Sequence, residues 1–225
     1  MSNVRLPSDL HPAGAAGTVA ATDEAAATPV ADEDAMRLAL GGYRLLERAR
    51  LLGVADDSVV LGGPADVAEQ VGLVAGRLGQ EGVGRAAARL SAAAPHDPDA
   101  VERLLEAIDA SPLPEREWAP LRSLLGDELL ARLVGVSHSS LGRYAGGARP
   151  TPDLVAARLH VLAMVCADLR GGYNDYGIRR WFVRPRPSLE AASVADVLGP
   201  SWDPDGPAAE LVRAMAVSVL SIGAT

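Results

Sequence analysis

The sequence predicts an all-α chain: an N-terminal helical domain, then a helix-turn-helix, then a C-terminal helical domain. Three observations carry that expectation. Apolar residues recur three and four positions apart through successive stretches, the spacing that gathers them on one helical face. Aromatic residues make up only 4% of a chain that is 48% apolar. The core must therefore be built from Leu, Val and Ala, a mixture that suits closely packed helices. The run Ser58-Val59-Val60-Leu61 has strand character but no partner run, and reads as a connection. At 225 residues the chain is long enough for one large core or two small ones.

Residues 1–33 are rich in Ala, Gly, Thr, Pro and acid without apolar periodicity, the pattern of a disordered acidic tail. Asp34–Gly53 is the first expected helix. Its stripe is Met36, Leu40, Tyr43, Leu46 and Arg50, and Gly41-Gly42 weaken it. Pro64–Gly79 starts on a proline suited to a first turn and carries Val67, Val71, Val74 and Leu78, with Gly72 and Gly76 open to close helix contact. Val83–Ala94 and Pro98–Asp109 continue the pattern, the latter through Val101, Leu104, Leu105 and Ile108. No catalytic or metal-ligand spacing occurs here, and the acids fall on solvated faces. Residues 34–110 thus read as a helical packing or dimerisation domain.

Ser111-Pro112-Leu113-Pro114 marks a boundary, and 115–170 forms the next region. It contains GDELLARLVGVSHSSLGRYAGGARP, Gly126–Pro150, which Trp118 and Leu121 of a helix over Glu115–Leu125 should cover from the N-terminal side. Leu129, Leu130, Leu133 and Val134 predict a short amphipathic helix over Asp127–Val134. Ala131 is small where a second helix would cross, and Gly135 permits a sharp turn at positive φ. Ser137 is a good N-cap for a helix from His138 to about Ala145, with Leu141 and Tyr144 inward. Gly146-Gly147 and Pro150 end it. This is the pattern of a helix-turn-helix, whose second helix enters the DNA major groove. Ser137, His138, Ser139, Ser140, Arg143 and Arg149 are the candidate DNA-binding residues, with Arg149 and Arg158 expected on phosphates. Gly142 inside the reading helix costs about 1 kcal/mol relative to Ala, so it marks either a close backbone approach or a weakened module.

Thr151-Pro152-Asp153 reads as cap, first-turn proline and dipole-favoured acid. One row of the helix they begin is Leu154, Val161, Val165 and Leu169, and its neighbour is Leu159, Leu162 and Cys166. Apolar over such breadth, this helix is the expected central post. His160 lacks companion ligands and reads as structural rather than metal-binding. Cys166, the single cysteine, reads as a buried thiol in a reducing compartment.

Residues 171–225 open with YNDYGIRRWFVRPRPSL, Tyr173–Leu189. Ile178, Trp181 and Phe182 should pack a short helix, leaving Arg179, Arg180, Arg184 and Arg186 solvated. Pro185 and Pro187 impose an extended segment. Ser193 with Asp196 resembles a capping box with Asp in place of Glu. Pro207–Leu220 closes the chain as a helix with Leu211, Val212, Met215 and Val219.

A helix-turn-helix, a long helix, then Gly177-Ile178-Arg179-Arg180-Trp181-Phe182-Val183-Arg184-Pro185-Arg186-Pro187-Ser188-Leu189 resembles the Xre/MbcA/ParS-type antitoxins. Those carry a W-[FL]-x-x-P-x-P-x-L core in a toxin-binding domain. The resemblance spans about Gly126–Leu220 and is most specific over Trp181–Leu189. It implies a protein partner, a RES-type toxin that consumes NAD, and repression of the chain's own promoter as double-stranded DNA. The implied partner-binding residues are Arg179, Arg180, Trp181, Arg184, Pro185, Arg186 and Pro187. The family often continues L-x-G-x-[ST]-P, whereas here Ala191 stands for the Gly and Val194 for the Pro.

Charge supports the placement. All 21 basic side chains are Arg, and the net charge is −8. Yet Arg122–Arg186 holds ten Arg against five acids, concentrating positive charge around the helix-turn-helix. No Gly-rich phosphate loop, metal-ligand cluster or Ser/His/acid set is present, so the expectation is a non-enzyme without cofactor or metal. His138 among Ser137, Ser139 and Ser140 is no dyad, since adjacent helix residues do not converge. No run of about 18 apolar residues suggests a membrane span, and no basic-then-apolar leader directs export, so the expectation is cytoplasmic. Two functions remain open: an antitoxin that also represses its promoter, and a stand-alone transcription regulator whose C-terminal domain binds another protein or dimerises. Either should be at least a homodimer.

Overall fold

The computed structural model describes residues 29–56 and 64–222. Among them it is all-α, with eleven α-helices, one 3-10 turn and no strand. The Ser58–Leu61 connection and most of the expected acidic tail lie outside the described residues. Residues 29–33, assigned to that tail, instead form the first turns of a helix.

That helix, α1 (Pro29–Leu51), packs on α2 (Pro64–Gln80) and α4 (Pro98–Asp109), while α3 (Arg85–Ala93) bridges α2 and α4. Val67, Val71, Val74 and Leu78 of α2 and Val101, Leu104, Leu105 and Ile108 of α4 are buried, as their spacing requires. The expected α1 stripe holds only in its second half. Leu45, Leu46 and Ala49 are buried, but Met36 and Leu40 are exposed. The glycines also exchange roles. A Cβ on Gly42 would lie 2.7 Å from Val67 Cγ1, and one on Gly41 would lie 3.1 Å from Val101 Cγ1. The pair that weakens α1 in isolation is what lets α2 and α4 approach it. Gly76 faces open space instead.

The second half is assembled around α8 (Asp153–Leu169), against which α1, α5 (Pro114–Leu125), α6 (Asp127–Val134) and α11 (Pro207–Ile222) pack. Every residue of α8 is buried except Asp153, Leu154 and Ala157. Each fully buried Leu contributes about 1.5–3 kcal/mol, which makes this helix the main source of cohesion. Thr151 is not its cap. Pro152 takes the N-cap position, and the Thr151 hydroxyl accepts from Trp118 Nε1 at 3.0 Å. Among the described side chains of α11, Ala209, Val212 and Ala216 are buried, whereas Leu211 is exposed.

Two charged groups, Arg48 and Glu47, are buried at the α1–α8 contact. The Arg48 guanidinium donates to both oxygens of Asp109, at 2.7 and 3.1 Å, and to Asp168 Oδ1 at 3.0 Å. Glu47 is buried too, corrected from its expected solvated face, and meets Arg50 and Arg170. Cys166 is fully buried, which pushes its thiol well above the ordinary range. Among the described residues no helix is long and apolar enough to cross a membrane.

Candidate nucleic-acid interface and partner surface

The α6–turn–α7 unit is built from its turn outward. Past Val134 the Val136 N–H donates to the Ala131 carbonyl at 3.0 Å and the Gly135 N–H to Arg132 at 3.3 Å, a Schellman ending. Gly135 has φ 75°, and a Cβ there would sit 2.2 Å from the Pro200 carbonyl oxygen. Ser137 then caps α7 (His138–Ala145), its hydroxyl accepting from the Ser140 N–H at 3.2 Å. Leu141 is buried, and Tyr144 stacks on Trp118 with centroids 6.4 Å apart.

The opposite face of α7 is open. His138, Ser139, Gly142 and Arg143 are exposed, and nothing lies within 4 Å of a Cβ placed on Gly142. Ser140 is half-buried and accepts from Arg143 at 3.2 Å, which fixes the guanidinium along the helix. Arg149 folds back so that its N–H reaches the Arg143 carbonyl at 3.2 Å, and its guanidinium lies 5.9 Å from the Tyr144 ring centre. Arg143 and Arg149 thereby share one edge. Asp127 tempers the other edge: its carboxylate lies 3.7 Å from His138 Nε2 and accepts two hydrogen bonds from Arg122. The Arg122 bond holds that carboxyl below its usual range.

Arg158 is a correction. Expected on a phosphate, it is buried, donating to the carbonyls of Trp202 (2.8 Å), Val134 and Pro200 (both 3.2 Å). Trp202 Nε1 adds a bond to the Leu133 carbonyl at 2.7 Å. The last carbonyls of α6, which the helix itself cannot satisfy, are closed by side chains from α8 and the 200–202 loop.

Beyond α8, Asn174 caps α9 (Asp175–Val183), accepting from the Gly177 N–H at 2.9 Å. Ile178, Trp181 and Phe182 are buried, the two rings edge to face at 5.1 Å. The four arginines do not remain solvated together. Arg179 donates to the Leu124 carbonyl at 2.9 Å, closing the end of α5. Arg186 donates to the Trp181 carbonyl at 3.1 Å and lies 4.9 Å from the Trp181 ring centre. Arg180 and Arg184 are exposed, as are Pro185 and Pro187. With Tyr173, Trp181 and Arg186 these residues line a cleft of about 340 Å³. The proline segment is extended only through Arg186, because Pro187–Leu189 turns as a 3-10 helix. Glu190 and Ala191 come next with φ 53° and 66°, and the Ser193–Asp196 capping box that starts α10 (Val194–Leu198) is complete.

Two features escaped the sequence. One is a groove of about 780 Å³ between α6 and α9, lined by Leu129, Arg132, Tyr176, Arg179, Arg180 and Val183 among others. Tyr176 and Val183, seven residues apart on one face of α9, were its only signal. The other surrounds His160, whose Nδ1 lies 2.5 Å from Glu117 Oε1 and whose Nε2 lies 3.0 Å from the Asp109 carbonyl. Among the described residues no three His, Cys, Asp or Glu side chains gather as metal ligands.

Compared with protein-family models, curated proteins and solved structures, the chain matches none.

Proposed function

We propose that the chain is a DNA-binding repressor of the antitoxin type, reading its own promoter through α7 and holding a protein partner through the α9–proline segment. On this reading residues 34–110 are a packing or dimerisation unit, 115–170 the DNA-binding region and 171–225 the partner-binding region. The observation that carries it is the bare face of α7. Leu141 and Tyr144 anchor the helix, while His138, Ser139, Gly142 and Arg143 meet solvent and are crossed by no other element among the described residues. A recognition helix needs that division.

Arg143→Ala should weaken promoter binding by about 1–3 kcal/mol, the worth of a base-edge contact, whereas Arg149→Ala should chiefly lower the salt slope. Mobility shifts at several salt concentrations separate the two. Folded protein that leaves promoter DNA unshifted at low salt would falsify the reading.

For the partner, Arg184 and Arg180 beside Pro185 and Pro187 offer forked donors on a segment of low conformational entropy. A RES-type, NAD-consuming toxin is the proposed partner, on the motif resemblance of Trp181–Leu189. Arg184→Glu should release it in co-purification and lower cellular NAD while leaving DNA binding unchanged. A second reading, the stand-alone regulator, is favoured by Arg179 and Arg186, since both spend hydrogen bonds on the chain's own carbonyls. Failure of any neighbouring gene product to co-purify decides for that reading.

A further inference from the structure

Two unpartnered surfaces on this chain are complementary. The α6–α9 groove has apolar walls from Leu129, Tyr176 and Val183, and Tyr176 and Val183 are 63% and 46% exposed. Between those two side chains stand Arg179, which donates to the Leu124 carbonyl at 2.9 Å, and Arg180, while Arg132 across the groove is paired with Asp196 at 2.7 Å. Its carboxylates are Asp127, already bound by Arg122, and Glu128. Arg180, exposed and bonded to the neutral Tyr176 hydroxyl, is therefore the groove cation to which an amphipathic helix can offer an acid.

The first turns of α1 are such a helix. From Glu33 to Leu40 every side chain except Leu38 is exposed, and Met36 is 72% exposed. Glu33, Met36 and Leu40 fall at the i, i+3, i+7 spacing of one face. The sequence there is Asp32-Glu33-Asp34, acidic just before the apolar pair. Glu33 and Met36 are three residues apart, as are Arg180 and Val183, so an acid–apolar pair on α1 matches a cation–apolar pair on α9.

We propose that the N-terminal turns of α1 dock in the α6–α9 groove of a second copy of this chain, Glu33 facing Arg180 and Met36 against Val183. The donor cannot be the same molecule. α1 is unbroken to Leu51, its second half is buried, and Arg37 is fixed to Asp99 of α4 at 2.6 Å. Exchanged twice, the contact closes a two-fold dimer with nothing left over. The mode is the familiar laying of an amphipathic helix in a groove. It stands independently of the DNA reading, and of the residues assigned to the toxin reading it takes Arg180 as its contact and Arg179 as groove lining.

The test is the mass of the full chain in solution, by light scattering and sedimentation. Wild type should be a dimer. Glu33→Arg and Arg180→Glu should each raise the dimer dissociation constant at least roughly tenfold, and the two together should restore it to within about threefold. Met36→Ser, at an exposed site, should weaken the dimer without moving the melting temperature measured at dilutions where the chain is monomeric. A monomer at about 100 µM, a dimer indifferent to the single reversals, or a double variant no better than either single overturns the proposal. DNA binding is not read by this experiment, so its outcome is separate from that of the repressor reading.

Discussion

Gly135 and Ala191 adopt nearly the same left-handed backbone, with φ 75° and 66°, and the consequences are opposite. At Gly135 any side chain must also displace the Pro200 carbonyl, so Gly135→Ala should cost about 3 kcal/mol or more in a denaturation experiment. At Ala191 the residue carries a left-handed penalty of about 1–2 kcal/mol, partly offset because glycine is freer when unfolded. Ala191→Gly should therefore raise stability by about 0.5 kcal/mol, or about 1–2 °C in Tm. Gly135 was legible from the sequence because a turn residue is local chemistry. His160 was legible only as structural. Its partners, Glu117 and Asp109, come from other helices, and no spacing predicts them. Both ring nitrogens face acceptors. Burial opposes protonation, but the Glu117 bond and charge and the Asp109 carbonyl outweigh it, and His160 is held above its ordinary value. The proton is thus bound more tightly in the folded chain. The stabilisation is complete below the unfolded value of about 6.5 and is lost as pH rises through the folded one. Urea midpoints should fall from pH 6 toward pH 9, and His160→Gln should flatten that slope.

At the scale of elements, helix ranges were readable wherever caps and periodicity agreed. α4, α6 and α7 occupy the spans their sequences require. What the pattern missed is how helix ends are closed by distant residues. Arg158 and Trp202 serve the end of α6, and Arg179 serves the end of α5. An arginine in the sequence carries no mark that separates a phosphate contact from a carbonyl clamp. Removing Arg158 leaves buried carbonyls at Val134 and Trp202 without their donor. Arg158→Met should cost about 2–4 kcal/mol, with loss of DNA binding tracking the unfolded fraction rather than the salt slope. Intact stability with a reduced salt slope would return Arg158 to the phosphate role. The exposed start of α1 was equally invisible, since Met36 and Leu40 obey the same periodicity as their buried neighbours.

Across the whole molecule, Arg48 fastens the end of α4 and the body of α8 to α1 through Asp109 and Asp168. Arg48→Met leaves Asp168 buried with Arg44 alone at 3.6 Å and should cost about 3–5 kcal/mol. Pairing it with Asp168→Leu should recover most of that loss, because an ion pair replaced whole by apolar groups leaves no stranded charge. A double variant whose loss equals the sum of the singles refutes the coupling. Charge asymmetry between the two halves held no hint of this pair, whose members are 120 positions apart. The burial of α8 has one more consequence. Its apolar surround comes from chain on both sides of Ser111–Leu113, so a nick beside the exposed Pro112 would leave two pieces, each lacking what covers the other. Expressed from separate genes, 1–112 and 113–225 should be insoluble alone and reassociate when made together, a split protein whose reconstitution reports the meeting of whatever is fused to its halves.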